Sequence, residues 1–249
     1  MPLANKYGII TDIHANYTAL KVALDYLNNA GVDKILCLGD LVGYGAEPFE
    51  VIQALRDKPN VYCIAGNHDR QVVGEKDPRM RKTAAKVLEW TADNISPSNA
   101  RYLRQLPQGM TIDDGIIIVH GSLVERDAYI LTPQEISKNL NCMINDFPGF
   151  KICFFGHTHI PMLIGTKAVI TDLHETKSFQ LDKNDVYLIN PGSVGQPRDK
   201  CPLSAFGIFD AQNWTMTFIR KPYDIRQAQR MIIDNGLPEK FARRLAVGV

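Results

Sequence analysis

The chain has 249 residues, 45% of them hydrophobic and 22% charged, a globular composition that excludes a disordered or fibrous protein. Lys and Arg number 28 against 27 Asp and Glu, a formal charge of +1, so no global basic field recruits nucleic acid and no sequence-specific nucleic-acid partner is expected. No apolar run approaches the ~20 residues that cross a bilayer, which leaves no expected membrane partner. The opening Met1-Pro2-Leu3-Ala4-Asn5-Lys6 enters an apolar stretch too short for a signal peptide. Five cysteines, at positions 37, 63, 142, 153 and 201, form an odd set without C-x-x-C spacing. Reduced thiols in a cytoplasmic protein are the expectation, ahead of disulfides or a thiolate zinc site.

In chain order, Tyr7 to Thr11 reads as a buried strand ending at Asp12. Residues 16–30 carry Leu20, Ala23, Leu24 and Leu27 at helical spacing, closed by Gly31. A second strand, Lys34 to Leu38, ends in Gly39-Asp40, and Pro48 opens a helix through Leu55. Val61 to Ala65 is a third strand, ending in Gly66-Asn67-His68-Asp69. This β-α-β-α-β run predicts a parallel sheet.

Residues 79–106 read as helical with a break at Ser96-Pro97, and about 75–108 is expected to be a small helical cap inserted into one domain spanning 1–249. Arg79, Arg81, Lys82, Lys86, Arg101 and Arg104 make this segment basic, either to steer anions or simply as a solvated face. Asp113-Asp114-Gly115 signals a hairpin turn into the strand Ile116 to Val119, which stops at His120. A helix over about 132–146 precedes Lys151 to Phe155, a strand ending in Gly156-His157-Thr158-His159. Short strands then follow at 162–164, 167–171, 178–181, 186–189, 205–209 and 215–219. A helix from near Pro222 and a short last one, separated by Gly236-Leu237-Pro238, close the chain. Two stacked sheets with helices outside fit this order better than one open sheet.

One regularity concentrates the chemistry. Each strong strand ends in Gly, Asp, Asn or His, and ligands in α/β sheets bind beyond the carboxyl ends of strands. Five of the six histidines lie at these ends; His174 does not and receives no role. A single histidine at a strand end is more often structural, but five ends rich in metal ligands need another explanation. In extended backbone, residues i and i+2 project to one side, so Asp12 with His14, and His157 with His159, are expected to face one site. Carboxylate and imidazole without thiolate suit borderline divalent metals, manganese foremost, with iron, cobalt, nickel or zinc as alternatives. Asp12, His14, Asp40, Asn67, His120, His157 and His159 are too many ligands for one ion and suit two.

D-x-H, G-D, G-N-H-D, a lone H and G-H-x-H, in this order, resemble the calcineurin-like metallophosphoesterase superfamily, from Tyr7 to about Asp199. The stretches 39–48 (G-D-L-V-G-Y-G-A-E-P) and 190–199 (N-P-G-S-V-G-Q-P-R-D) resemble a bacterial and archaeal subgroup described as phosphodiesterase-like or diadenosine-tetraphosphatase-like. The resemblance implies an α/β fold built as a four-layer α-β-β-α sandwich. It implies a first metal on Asp12, His14 and His159, a second on Asn67, His120 and His157, and Asp40 bridging both. It further implies hydrolysis of phosphate mono- or diesters by a metal-bridging hydroxide, with His68 protonating the leaving oxygen and Asp69 orienting it.

The substrate it implies is a phosphorylated small molecule or nucleotide. A protein phosphatase or dinucleoside polyphosphate hydrolase would use the same site, and a non-catalytic scaffold would lose ligands that are all present here. Ser/Thr phosphatases of the superfamily carry an Arg after the bridging Asp and a Glu after G-N-H. This chain has Leu41-Val42-Gly43-Tyr44-Gly45 and Asp69 at those places, which weakens the protein-phosphatase reading. Arg198 and Arg70 are candidate phosphate clamps, each equally readable as a structural or solvated arginine. Asn190-Pro191-Gly192-Ser193 is expected to be a turn lining the site, its Gly and Pro shaping backbone. The oligomeric state is open.

Overall fold

The computed structural model describes residues 5–78, 80–113 and 115–249. Met1–Ala4, Arg79 of the basic segment and Asp114 of the turn signal lie outside the described residues. The first three apolar runs form β1 (Lys6–Ile10), β2 (Lys34–Cys37) and β3 (Val61–Cys63), joined by α1 (Tyr17–Asn29) and α2 (Pro48–Arg56). The Asn16 side chain starts α1 by accepting from Ala19 N, and Ala19, Leu20, Ala23, Leu24 and Leu27 form its buried stripe. Pro48 opens α2 at a position whose missing N–H costs nothing.

As expected, β1, β2 and β3 pair in parallel, with Tyr7 opposite Lys34 and Ile35 opposite Val61. The sheet is nevertheless mixed. The free edge of β1 takes β11 (Ser204–Asp210) antiparallel, followed by β12 (Thr215–Lys221) and β9 (Lys177–Gln180). The second sheet runs β4 (Gly109–Ile112), β5 (Ile116–Val119), β6 (Ile152–Phe154), β10 (Tyr187–Asn190), β7 (Met162–Gly165) and β8 (Val169–Ile170). It too holds a parallel trio, β5-β6-β10.

The two sheets stack through a core containing Tyr7, Ile9, Leu36 and Ile64 from the first and Ile116, Ile118, Phe154 and Ile189 from the second. Outside the first sheet, α1 and α2 bury Leu20, Leu24, Val51 and Ile52 with Ile10 and Ile35. Outside the second, α6 (Pro133–Asp146) brings Met143 onto Ile117, Cys153 and Phe155. Helix, sheet, sheet, helix is the expected four-layer sandwich, and each apolar face is covered by its neighbour. At one end of the stack, Asp113 ties the layers together, accepting from Lys34 Nζ at 2.7 Å and from the Tyr7 hydroxyl at 2.5 Å.

Two elements escape the sequence reading. Gly66-Asn67-His68-Asp69 is not a strand end running on in extended chain: Asn67 begins a six-residue helix, α3 (Asn67–Val72). The hairpin partner of β5 is β4, which the turn signal implied but whose short, partly exposed sequence hid it. The 75–108 segment forms α4 (Lys82–Asp93) and α5 (Pro97–Gln105), broken at Ser96, whose side chain caps α5. Val87, Leu88 and Leu103 bury into the helical layer, while Arg81, Lys82, Lys86, Arg101 and Arg104 are exposed. Two closing helices, α7 (Ile225–Asp234) and α8 (Glu239–Val247), pack on each other and on α4 through Ala84, Val87, Ile232, Phe241 and Leu245. All five cysteines are free, and His174 is exposed. Among the described residues no helix is long and apolar enough to cross a membrane.

Candidate active site

The carboxyl ends of β1, β2, β3, β5 and β6 converge, and the loops beyond them are laced by backbone hydrogen bonds. Ile13 and His14 both donate to the Asp40 carbonyl at 2.9 Å, and Gly156 donates to the His120 carbonyl at 2.8 Å. The chain turns sharply there. Asp12, His14, Asp40, His157 and His159 all hold φ between 51° and 66°. Non-glycine residues avoid this left-handed region, and strain of this kind persists where surrounding structure enforces it. The expected pairs do face one site, but through these turns rather than through the alternation of an extended strand. Similarly, Asn67 and His68 are helical neighbours, about 100° apart around α3 by helix geometry, and not opposed residues of a strand.

Each carboxylate is held by one oxygen and aimed with the other. Asp12 Oδ2 accepts from Thr11 Oγ1 and from His157 N, both at 2.9 Å, while Oδ1 is buried with no hydrogen-bond partner. Asp40 Oδ1 accepts from His68 N at 2.9 Å. Its Oδ2 lies 3.5 Å from His14 Nε2 and 3.4 Å from His120 Nε2. The histidines are aimed from behind: the Nδ1 atoms of His14, His120 and His159 sit against the carbonyls of Val42, Leu38 and Gln196 at 3.2, 2.8 and 2.6 Å. A carbonyl accepts only, so Nδ1 carries the proton and the Nε2 lone pair points inward, an assignment taken from the hydrogen-bond network. His157 is turned the other way, with Nε2 against the Asp127 carbonyl at 3.1 Å, so its Nδ1 faces the site.

These contacts test the fit of a metal. His14 Nε2 and His159 Nε2 stand 3.1 Å apart, two lone pairs face to face. His159 Nε2 is 3.2 Å from Asp12 Oδ1, and His120 Nε2 is 3.2 Å from Asn67 Oδ1. Metal–ligand bonds of ~2.0–2.2 Å place neighbouring donor atoms ~3.0–3.6 Å apart. The separations match, and a cation between the lone pairs turns repulsion into coordination. Two groups gather their donor atoms within 4.8 Å of one another, Asp12 with His14 and His159, and Asp40 with His120 and His157. A third, His14 with Asp40 and His68, overlaps both. All these residues except Asn67 are buried.

Electrostatics agree with a site built for positive charge. Burial pushes the Asp40 carboxyl up, but His120, His68 and His14 hold it well below the usual carboxylate range. Burial would lower His120, yet Asp40 beside it, with Asp12 and the Leu38 carbonyl, raises it to about 9. At His120 the carboxylates thus favour positive charge, whether a proton or a cation, while burial keeps His14 and His159 below the usual imidazole range.

His68 has a different setting. Its ring lies 4.8 Å from that of His14 and 4.5 Å from that of Tyr44, and its buried Nδ1 has no hydrogen-bond partner. Burial lowers its pKa to about 4. Asp69, expected to orient His68, does not do so by hydrogen bonding. Its carboxylate accepts instead from Val42 N at 3.1 Å and Gly66 N at 2.9 Å, strapping the turn before α3 to the loop that carries Asp40. Burial, with Asp40 nearby, raises Asp69 to about 7.

The two arginines part company. Arg70 is buried, donates to the Asp127 carboxylate at 2.5 Å and the Ala65 carbonyl at 3.1 Å, and pairs with Glu75. It is structural and does not line the cleft above the site. Arg198 does line it, within 3.1 Å of Gln196 Oε1 and 3.4 Å of the Tyr44 hydroxyl. The 190–199 turn supports rather than binds. Ser193 Oγ donates to the Asp12 carbonyl at 2.7 Å, Asn190 donates to the Gly156 carbonyl at 2.7 Å, and Asp199 pairs with buried Arg220.

The cleft has a volume of about 590 Å3 and takes in Asp40, Asn67, His68, His157 and His159. It also takes in residues the sequence reading did not assign: Tyr44, Tyr129 stacked on His157 at 4.3 Å, and Lys240, Phe241 and Arg244 of α8. Tyr44 lies in the 39–48 motif without a role of its own there, and no motif marks the others, which come from segments far apart in the chain.

A sequence model of the calcineurin-like phosphoesterase superfamily domain matches residues 6–213. The chain belongs to the calcineurin-like phosphoesterase superfamily. Within this superfamily it is similar to an uncharacterised protein of Methanocaldococcus jannaschii, 36% identical over 97% of each chain. It is also similar to a metallophosphoesterase of Sphaerobacter thermophilus of known crystal structure, 34% identical, covering 99% of this chain and 100% of that one with a TM-score of 0.83. A Pyrococcus horikoshii protein shares the fold at 24% identity and a TM-score of 0.81, over 98% of each chain. The chain thus joins a calcineurin-like phosphoesterase superfamily domain to buried His/Asp clusters whose donor atoms could hold metal ions.

Proposed function

We propose that the protein hydrolyses phosphate mono- or diesters of a small molecule or nucleotide, using two divalent cations. The observation that carries the two-ion reading is Asp40 Oδ2, which lies about equally far from His14 Nε2 and His120 Nε2. Asp12, His14 and His159 would hold one ion, Asn67, His120 and His157 the other, and Asp40 both. Two such ions lower the pKa of water and offset charge on the phosphoryl oxygens. Manganese is the foremost choice for this oxygen and nitrogen set, with iron, nickel, cobalt or zinc as alternatives.

The chain's own residues then divide the work. Thr11 Oγ1 and His157 N fix Asp12, and the carbonyls of Val42, Leu38 and Gln196 fix the imidazoles, so the site is formed before substrate arrives. Arg198 holds a non-bridging phosphoryl oxygen. His68 donates a proton to the leaving oxygen; the anionic phosphoryl group of a bound ester favours the protonated ring that burial otherwise disfavours. The 75–108 segment borders the cleft through Met80, Arg81, Thr83 and Ala84, which supports its reading as a partial cap. Five free thiols support a cytoplasmic setting.

A panel of aryl mono- and diesters, cyclic nucleotides, diadenosine tetraphosphate and phosphopeptides, assayed with manganese-, nickel-, cobalt- and zinc-loaded protein, tests the reading. Turnover of small phosphoesters that a chelator abolishes is expected. No turnover of any ester with any metal would overturn it.

A further inference from the structure

The wall of the cleft facing α8 has a chemistry that a single phosphoryl group would not use. Four cationic side chains line it: Arg81, Arg198, Lys240 and Arg244. Among the described residues none of the four makes an ion pair, although Asp77, Glu125 and Asp127 line the same cleft; Asp127 is taken by Arg70 and Asp77 is itself engaged. They also stand close enough to disturb one another. Burial lowers Arg244, and Arg198 and Arg81 lower it further; Lys240 is lowered by burial and then by Arg244 and Arg81. Like charges gathered without ion-pair partners of their own raise the free energy of the empty site, and an anion placed among them recovers it.

The aromatic side chains give the position of this wall relative to the chemistry. The His68 ring contacts Tyr44 at 4.5 Å, and Tyr44 contacts Phe241 at 4.9 Å. The Arg198 guanidinium lies over Tyr44 at 5.7 Å, while Lys240 and Arg244 lie over Phe241 at 4.8 and 5.9 Å. The cations therefore run in a row away from His68, one ring and then two rings beyond it. Tyr44 and Phe241 form an apolar strip between floor and wall. A cleft of about 590 Å3 accommodates a nucleotide-sized molecule, within the ~300–1,000 Å3 range of small-ligand sites.

We infer that Lys240 and Arg244 of α8, with Arg81, form a second anion subsite that selects phosphoesters carrying a further phosphate group on the organic side of the scissile bond. This rests on the phosphoesterase reading above and narrows its substrate class. The scissile phosphoryl group lies over Asp40 and His157, Arg198 spans the middle, the organic part packs on Tyr44 and Phe241, and the second phosphate meets α8.

The test compares adenosine 3′,5′-bisphosphate with adenosine 5′-monophosphate and adenosine 3′-monophosphate on the full chain with its metals. The wild type is expected to favour the bisphosphate over the better monophosphate in kcat/KM. In Arg244→Ala and Lys240→Ala that preference should shrink on the order of 10-fold, mainly through KM, as loss of a charge-assisted phosphate contact predicts. Arg244→Lys should recover part of it. A wild type without preference, or variants that lose the three substrates in equal proportion, would overturn the inference. If none of the three is turned over, calorimetric titration of the same nucleotides decides it separately from the activity. Tighter binding of the bisphosphate that weakens in both variants supports the subsite, and equal affinities with no change in the variants reject it.

Discussion

Replacing Asp40 by Asn alters the carboxylate that lies between the two histidine groups, 3.5 Å from one and 3.4 Å from the other. The change removes one negative charge from both proposed ions, whereas Asp12→Asn touches one. Asp40→Asn is therefore expected to be the most damaging single ligand change, lowering both metal content and turnover. Full activity in Asp40→Asn, with activity lost in Asp12→Asn, would disprove the bridging role.

His68 is separable from the ligands by the same logic. Its Nδ1 is buried without a partner, and its ring packs on Tyr44 and His14. His68→Asn should keep the metal count and lower kcat by ~10²–10⁴. Because nitrophenolate leaves without needing a proton and an alkoxide does not, the loss should be far greater on alkyl than on nitrophenyl esters. Equal losses would indicate stabilisation of transition-state charge, and a lost metal would make His68 a ligand. The strand-end histidines and aspartates were legible as a group because metal-binding side chains are few in number and recur at every carboxyl end. Their aim was not legible, since positive φ at Asp12, His14, Asp40, His157 and His159 is enforced by tertiary hydrogen bonds.

At the scale of elements, the loop after β10 deserves the role its sequence suggested, with a different emphasis. It carries Ser193 under Asp12 and Arg198 over the cleft, and it is anchored by Asp199 on Arg220 of β12. Both partners of that ion pair are buried, with side chains 2% and 5% exposed, and Arg220 also donates to the Leu173 carbonyl at 2.8 Å. Arg220→Ala would strand a buried carboxylate and is expected to cost ~3–5 kcal/mol of stability, read as a lowered denaturation midpoint. A midpoint equal to that of the wild type would show that the loop holds without its anchor. Helix α3 escaped the sequence reading because six residues are too few to display a helical period, and Asp69 acts within it as a backbone strap. Helix α8 was found, but its place on the cleft was not, since nothing local in Lys240, Phe241 or Arg244 refers to residues near position 40.

At the scale of the molecule, each sheet contributes one parallel trio, β3-β2-β1 and β5-β6-β10, and the site lies where their carboxyl ends meet. Asp12, His14, Asp40 and Asn67 come from the first sheet's loops, and His120, His157 and His159 from the second's. The layer order was readable from the alternation of strand and helix, because each apolar face needs a cover. The antiparallel extensions, β11-β12-β9 and β7-β8, were not assigned to a sheet, since pairing between distant strands leaves no local trace. A site assembled from both sheets would bind the proposed ions only when the sandwich is correctly stacked. The most direct measurement is elemental analysis of the folded, metal-saturated protein after removal of excess ion. Two divalent ions per chain are expected, and a stoichiometry of one or none would contradict the two-ion site.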